Sequence, residues 1–265
     1  MSLNKSNIDY LRKEILYPAT GLTGYTLNIV TGCKHQEQGI CNVKDCYARR
    51  MVEHGRLKGH PSYPYGFKPT FHPERIRKYG GAPKLLFLDD MGDCGCDDLF
   101  RYVNDETEFA SPEFIASEML RFALLNPQHI ILLLTKRPEW YVFAEWPPNV
   151  YCGVTCTSNA DLDKLFCTYP IWWEEEHQWW LSLEPWLDEK PPKIDSSDGW
   201  LVIGGLSGPN ARPVSVATLK WLQDPSIQAR RFTKDNAYKK PEHGPWIRDY
   251  PREYPDSWRV EEATQ

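Results

Sequence analysis

The chain has 265 residues, a formal net charge of −5 and eight cysteines. An acidic balance excludes a globally basic nucleic-acid coat and leaves room only for a local basic groove. No stretch approaches the ~20 apolar residues needed to span a bilayer, and the polar start Met1-Ser2-Leu3-Asn4-Lys5-Ser6-Asn7 lacks an apolar signal core.

A cytoplasmic protein without a membrane partner is therefore expected. In that reducing setting the cysteines read as metal-binding or redox-active groups rather than as disulfides. The length suits one large α/β domain or two small ones, and a single domain over 1–265 is the expectation.

Short apolar or β-branched runs alternate with helix-like patterns along the chain. The pattern predicts a strand over 26–30, a cysteine-bearing loop, and a helix over 46–54. Residues 55–83 break the alternation. Their prolines stand among Tyr63, Tyr65, Phe67, Phe71 and Tyr79, which predicts a packed irregular insertion, because those aromatics have area to bury. A strand over 84–88 follows, then a helix over 112–125 behind Ser111 as N-cap, and strands over 129–134 and 150–154. A short helix over 160–166, strands over 178–183 and 200–203, and a helix over 215–223 complete the run. From 239 the chain is a proline-rich tail carrying Trp246, Tyr250, Tyr254 and Trp258. It is expected either to lie across the core or to be a surface tail with aromatic anchors. The fold class predicted is α/β, a partial parallel β/α TIM-like barrel of about six units over 24–235. A doubly wound open sheet would give a similar string, so both stand at this point.

In either fold, functional groups gather at the carboxyl ends of the strands. The first end is the richest: Cys33, Cys41 and Cys46 share one Gly-bearing loop. A closed structural site normally takes four protein ligands, so three thiolates leave a coordination position open for chemistry. The next ends carry Asp90 and Asp93, then Lys136 and Arg137, then Glu184, then Gly204 and Gly205. Lys136 and Arg137 suit a carboxylate or phosphate. Glu184 ends an apolar strand, for a ligand hydrogen bond or for a salt bridge to Lys136 or Arg212. Gly204 and Gly205 permit close approach of a ligand to the backbone, and a tight turn needs the same residues. Asp90 and Asp93 serve equally as acceptors for a ligand and as turn formers.

Among the other cysteines, Cys152 alternates with Val150 and Val154 and reads as core packing. Cys94, Cys96 and Cys156 lie near strand ends, where they are free thiols or a second metal or redox site; Cys167 has no assigned role. The Trp-rich stretch 171–180 reads as core and rim packing, with base stacking as the alternative.

Taken in order, the segments 31–48, 90–93, 134–138, 181–185 and 202–213 resemble a phage and bacterial protein family of unknown function. That family looks like a divergent branch of the radical S-adenosylmethionine enzymes, with spore photoproduct lyase as a better understood relative. The resemblance implies a [4Fe–4S] cluster on Cys33, Cys41 and Cys46, with S-adenosylmethionine on the fourth iron. Asp90, Asp93, Glu184, Gly204 and Gly205 would then surround the cofactor, with Glu184, Lys136 and Arg137 as the catalytic set. It further implies a nucleic acid or modified nucleotide as first candidate substrate and a peptide from a partner protein as second. The cysteine gaps are longer than the usual radical spacing, with seven residues between Cys33 and Cys41 and four between Cys41 and Cys46. The alternative that stays open is a non-catalytic zinc-binding or nucleic-acid-binding module, with zinc on Cys33, Cys41, Cys46 and His35.

Overall fold

A computed structural model describes residues 3–41, 43, 46–97, 99–103, 106–169, 178–194, 199–207, 210–237 and 250–260. Among these, the elements in chain order are β1 (Asn4–Lys5), α1 (Lys13–Thr20), β2 (Thr23–Leu27), β3 (Val30–Thr31), α2 (Tyr47–Glu53), β4 (Thr70–Phe71) and β5 (Lys84–Leu88). There follow β6 (Leu99–Val103), β7 (Glu106–Ala110), α3 (Pro112–Leu125), β8 (Ile130–Thr135), β9 (Val150–Thr155) and α4 (Asn159–Thr168). The last are β10 (Trp179–Leu183), β11 (Trp200–Ile203), α5 (Val216–Leu222) and β12 (Arg230–Thr233). The chain forms two compact units, Met1–Lys5 with Tyr25–Cys152, and Ser6–Gly24 with Gly153–Gln265. The fold is mixed α/β with mostly parallel strands.

In the first unit the strand order is β1-β2-β5-β8-β9, and a second sheet has the order β3-β4-β6-β7. Strand β5 is apolar after Lys84 and pairs in parallel with β8, Leu85 opposite Ile130 and Phe87 opposite Leu132. Such unbroken apolar runs are what a parallel strand covered on both faces requires. Helix α3 begins where Ser111 Oγ accepts from Phe114 N at 3.2 Å, with Pro112 in the first turn, where its missing N–H costs nothing. Its buried stripe is Ile115, Ala116, Met119, Phe122 and Ala123, one face of a helix. Asn126, just past its end, accepts from Tyr79 N at 2.7 Å and donates to Arg77 O and Phe122 O. It thereby ties residues 55–83 to the helix. Tyr63, Phe67, Phe71 and Tyr79 are buried, so this insertion is packed.

Two expectations for this unit need correction. The strand predicted over 26–30 is broken: β2 ends at Leu27 and β3 starts at Val30 in the other sheet. The break is held by side chains, since Asn28 Nδ2 donates to Asp90 Oδ1 at 2.7 Å, Asn28 Oδ1 accepts from Met91 N, and Asp89 Oδ1 accepts from Val30 N. The second sheet, including the antiparallel hairpin β6–β7, had no counterpart in the predicted elements.

In the second unit β10, β11 and β12 follow one another in the sheet, with β10–β11 and β11–β12 parallel. Strand β12 and helix α1 were not predicted. The unit's core is aromatic: the Trp200 ring lies 4.8 Å from Trp258, 5.3 Å from Tyr10, 5.5 Å from Trp180 and 6.0 Å from Tyr254. Its indole N–H donates to Glu253 O at 2.8 Å. Tyr254 and Trp258 thus make the tail an aromatic anchor, while Trp246 and the stretch 171–177 lie outside the described residues. Helices α4 and α5 start behind Ser158 and Ser215, whose hydroxyls accept from Asp161 N and Thr218 N. No helix among the described residues is long and apolar enough to cross a membrane.

Candidate metal centre

Beyond β3 the chain passes unusually close to the loop that follows β5. Gly32 N donates to Met91 O at 3.0 Å, and Gly32 forms a parallel bridge with Gly92. Gly32 has φ of +77°, and a Cβ there would lie 2.5 Å from the Phe67 and Lys68 carbonyl oxygens. A Cβ on Gly92 would lie 2.5 Å from Val30 O, so neither position accommodates a side chain.

From Cys33 onward the loop closes on one carbonyl. Ile40 N and Cys41 N both donate to His35 O, at 2.9 and 3.0 Å, while Gln38 N reaches Lys34 O at 3.1 Å. Gly39, with φ of +70°, makes the left-handed turn this requires. The long gap between Cys33 and Cys41 is therefore a closed turn that carries Cys41 back to the His35 backbone. Cys46 is the N-cap residue of α2. Cys33 and Cys46 pack against one apolar cluster of Val52, Tyr63, Phe67 and Met91. The Cys46 thiol is pushed up, first by burial and then by the charges of Cys33 and Cys41. Among the described residues Cys41 and Cys46 do not join Cys33 in a group of donors as tight as a metal ion needs.

A tighter group forms around Cys33. Donor atoms of Cys33, His35 and Cys96 all lie within 4.8 Å of one another, a Cys-His-Cys set able to hold a metal ion. His35 and Cys96 are fully buried, and His35 N donates to Cys33 Sγ at 3.3 Å. His35 Nδ1 meets Asp93 Oδ2 at 3.1 Å, and the ring is also hydrogen-bonded to the Cys33 side chain. Asp93 is in turn held by Thr135 Oγ1 at 2.6 Å, Gly95 N at 2.9 Å and Lys136 N at 3.2 Å.

These contacts move charge in a consistent direction. The Cys33 thiol is lowered to about 6, first by its hydrogen bond from the Cys96 thiol, against burial, and then by His35. Cys96 is raised, first by that same bond with Cys33, so the proton stays on Cys96. Burial opposes a charge on His35, but the Asp93 carboxylate and Cys33 override it and raise the imidazole to about 10. Burial likewise opposes ionisation of Asp93, yet His35, Thr135 and Gly95 hold its carboxyl below the ordinary range. Thiolate, imidazolium and carboxylate thus lie in one buried row.

The other predicted residues are distributed as follows. Asp90 accepts from Asn28 and is raised by burial. Lys136 contributes its backbone N–H to Asp93, and Arg137 is paired with Asp97 and, at 3.0 Å, with Glu139. Glu184, Gly204 and Gly205 come together in the second unit, where a Cβ on Gly204 would lie 2.7 Å from Asn236 Oδ1 and 3.2 Å from the Glu184 side chain. Glu184 pairs with Lys234, correcting the expected partners, and Arg212 donates to Leu187 O at 2.7 Å. Cys94 and Cys152 are buried with thiols raised first by burial, which fits packing. Cys156 is also buried, and Cys167 is exposed. The contribution of Cys96 was not legible from spacing; the Cys-x-His pattern of Cys33 and His35 was the available signal.

No curated protein and no solved structure matches the chain. A family model described as a protein of unknown function matches residues 21–254, and on that extent the chain belongs to the DUF5131 family.

Proposed function

We propose that the chain is an iron–sulfur enzyme of the radical S-adenosylmethionine type, in which Cys33, Cys41 and Cys46 hold a [4Fe–4S] cluster. The observation that supports this reading is the closed turn on His35 O, which returns the Cys41 backbone to the start of the loop that also carries Cys33 and Cys46. The donor set fits such a group: three thiols from one loop, two of them packed on apolar side chains, with no fourth cysteine in that loop. When bound, the cluster would supply the electron that cleaves S-adenosylmethionine and yields a 5′-deoxyadenosyl radical.

The chain's own residues would then bind and orient. Asp90 is proposed to hold the cofactor, and Asp93 acts on the loop through His35, since its oxygens are already engaged. Lys136 and Arg137 are proposed to neutralise an anionic substrate, a nucleic acid or nucleotide in first place. A partial β/α barrel and a cytoplasmic setting belong to the same proposal, the former supported by the parallel pairings β5–β8, β10–β11 and β11–β12.

Anaerobic reconstitution tests it. Iron and sulfide should load the wild type, each of Cys33→Ala, Cys41→Ala and Cys46→Ala should lose iron, and the reduced wild type should release 5′-deoxyadenosine from S-adenosylmethionine. Iron retained by all three variants would remove these cysteines from the site. A loaded wild type that neither binds nor cleaves the cofactor would end the radical reading.

A further inference from the structure

The half-buried Cys33 thiol, the buried Cys96 thiol and the buried His35 imidazole converge from separate loops in a manner that a three-thiol cluster does not use. We infer that Cys33, His35 and Cys96 form a single-ion site for a zinc-class cation, oriented by Asp93, and that this ion competes with the cluster for Cys33. The site itself does not rest on the cluster reading; only the competition does.

The donors are two sulfurs and one nitrogen, the set that zinc, a borderline-soft cation without geometric preference, takes most readily. Bond lengths of about 2.3 Å to sulfur and 2.0 Å to nitrogen place tetrahedral donors ~3.3–3.8 Å apart. The three donor atoms already lie within 4.8 Å of one another, about an ångström from that spacing. A second feature points the same way: His35 is fully buried and its ring is engaged by both the Cys33 sulfur and the Asp93 carboxylate. A cation beside two sulfurs can replace the proton that the buried ring shares with Cys33 in the metal-free protein.

The far side of the ring completes the pattern. Metal-ligating histidines commonly present their other nitrogen to a carboxylate, which sets tautomer and orientation. His35 does so through Nδ1 to Asp93 at 3.1 Å, and Asp93 is locked by Thr135 Oγ1, Gly95 N and Lys136 N. Three protein donors leave the fourth position to solvent. Because Cys33 belongs to both sets, one chain cannot carry both metals in full.

Titration of the metal-free, reduced full chain with cobalt(II) and zinc tests this. Wild type should take one cobalt per chain, with a thiolate-to-cobalt charge-transfer band and the strong visible bands of a tetrahedral site. Cys96→Ser should weaken binding more than about a hundredfold, and Asp93→Asn by about 10–100-fold. Cys41→Ala and Cys46→Ala should bind cobalt as wild type does, although the cluster reading has them lose iron. Preloaded zinc should lower iron uptake on reconstitution. A wild type without the charge-transfer band, or a folded Cys96→Ser binding as wild type, overturns the site. Should Cys96→Ser fail to fold, alkylation of wild type decides: zinc must slow labelling of Cys33 and leave Cys41 unchanged, and equal rates overturn it. Iron loading that ignores zinc would overturn the competition, and absence of iron loading altogether would strike the cluster reading while leaving the zinc site standing.

Discussion

The two units bury different kinds of matter. At the end of β5 the first unit hides a thiolate, an imidazole and a carboxylate, each committed to the next. Around β11 the second hides rings, with Trp200 among Tyr10, Trp180, Tyr254 and Trp258. The first arrangement depends on proton positions; the second depends on area and is indifferent to pH. Chemistry is therefore sought where polar groups have been buried at a cost, and stability where apolar ones have.

The largest effect expected from breaking this contrast is in the second unit. Trp200→Ala removes a fully buried ring and the hydrogen bond to Glu253 O, and should cost about 3–5 kcal/mol in denaturant unfolding at any pH between 6 and 9. A loss below about 1 kcal/mol would mean the aromatic cluster is not the unit's core.

In the first unit the expected effect is in the pH profile. His35 is raised from 6.5 to about 10, so its contribution is complete below 6.5 and disappears as pH rises through about 10. Cys33 is lowered from 9.0 to about 6, so its contribution is complete above 9.0 and disappears as pH falls through about 6. Between 6.5 and 9.0 the folded pair carries one proton, on His35, and the unfolded pair also carries one, on Cys33. The pair's contribution in metal-free, reduced protein is thus flat across that window, falls as pH rises from 9.0 to about 10, and falls on the acid side as pH drops from 6.5 to about 6. Cys33→Ser should expose the His35 term alone, giving stability that declines as pH rises from 6.5. Parallel profiles for the two proteins would break the proposed proton arrangement.

The smallest effect belongs to Glu184. Its ion pair with Lys234 is partly exposed, and Glu184→Gln should change unfolding stability by less than ~1 kcal/mol. A much larger loss would make that pair a structural element of the second unit comparable to the His35–Asp93 row.

How much of this was readable from the chain follows from the range of the interactions. Strands β5 and β11 and helix α3 match the predicted bounds, because their apolar runs and the Ser111 cap are local signals. The two-residue strands β3 and β4 have no local signal, since their stability lies in pairing with distant segments. The strand predicted over 26–30 was misjudged because Asn28 and Asp89 divert the backbone, a contest between side-chain hydrogen bonding and apolar pattern that the pattern lost. The cysteine loop was legible as a cluster. Its link to Cys96 and Asp93 was not, because it exists only where the two loops meet.

That meeting is set by what Gly32 and Gly92 lack. Side chains at either position would act as shims: one on Gly92 would wedge its loop away from Val30 and Thr31, and one on Gly32 would push the start of the cysteine loop off the Phe67 and Lys68 backbone. Ligand spacing in this protein is consequently governed by two residues that possess no donor atom in their side chains. Metal preference can drift through a change of backbone clearance alone, with every cysteine and histidine left in place.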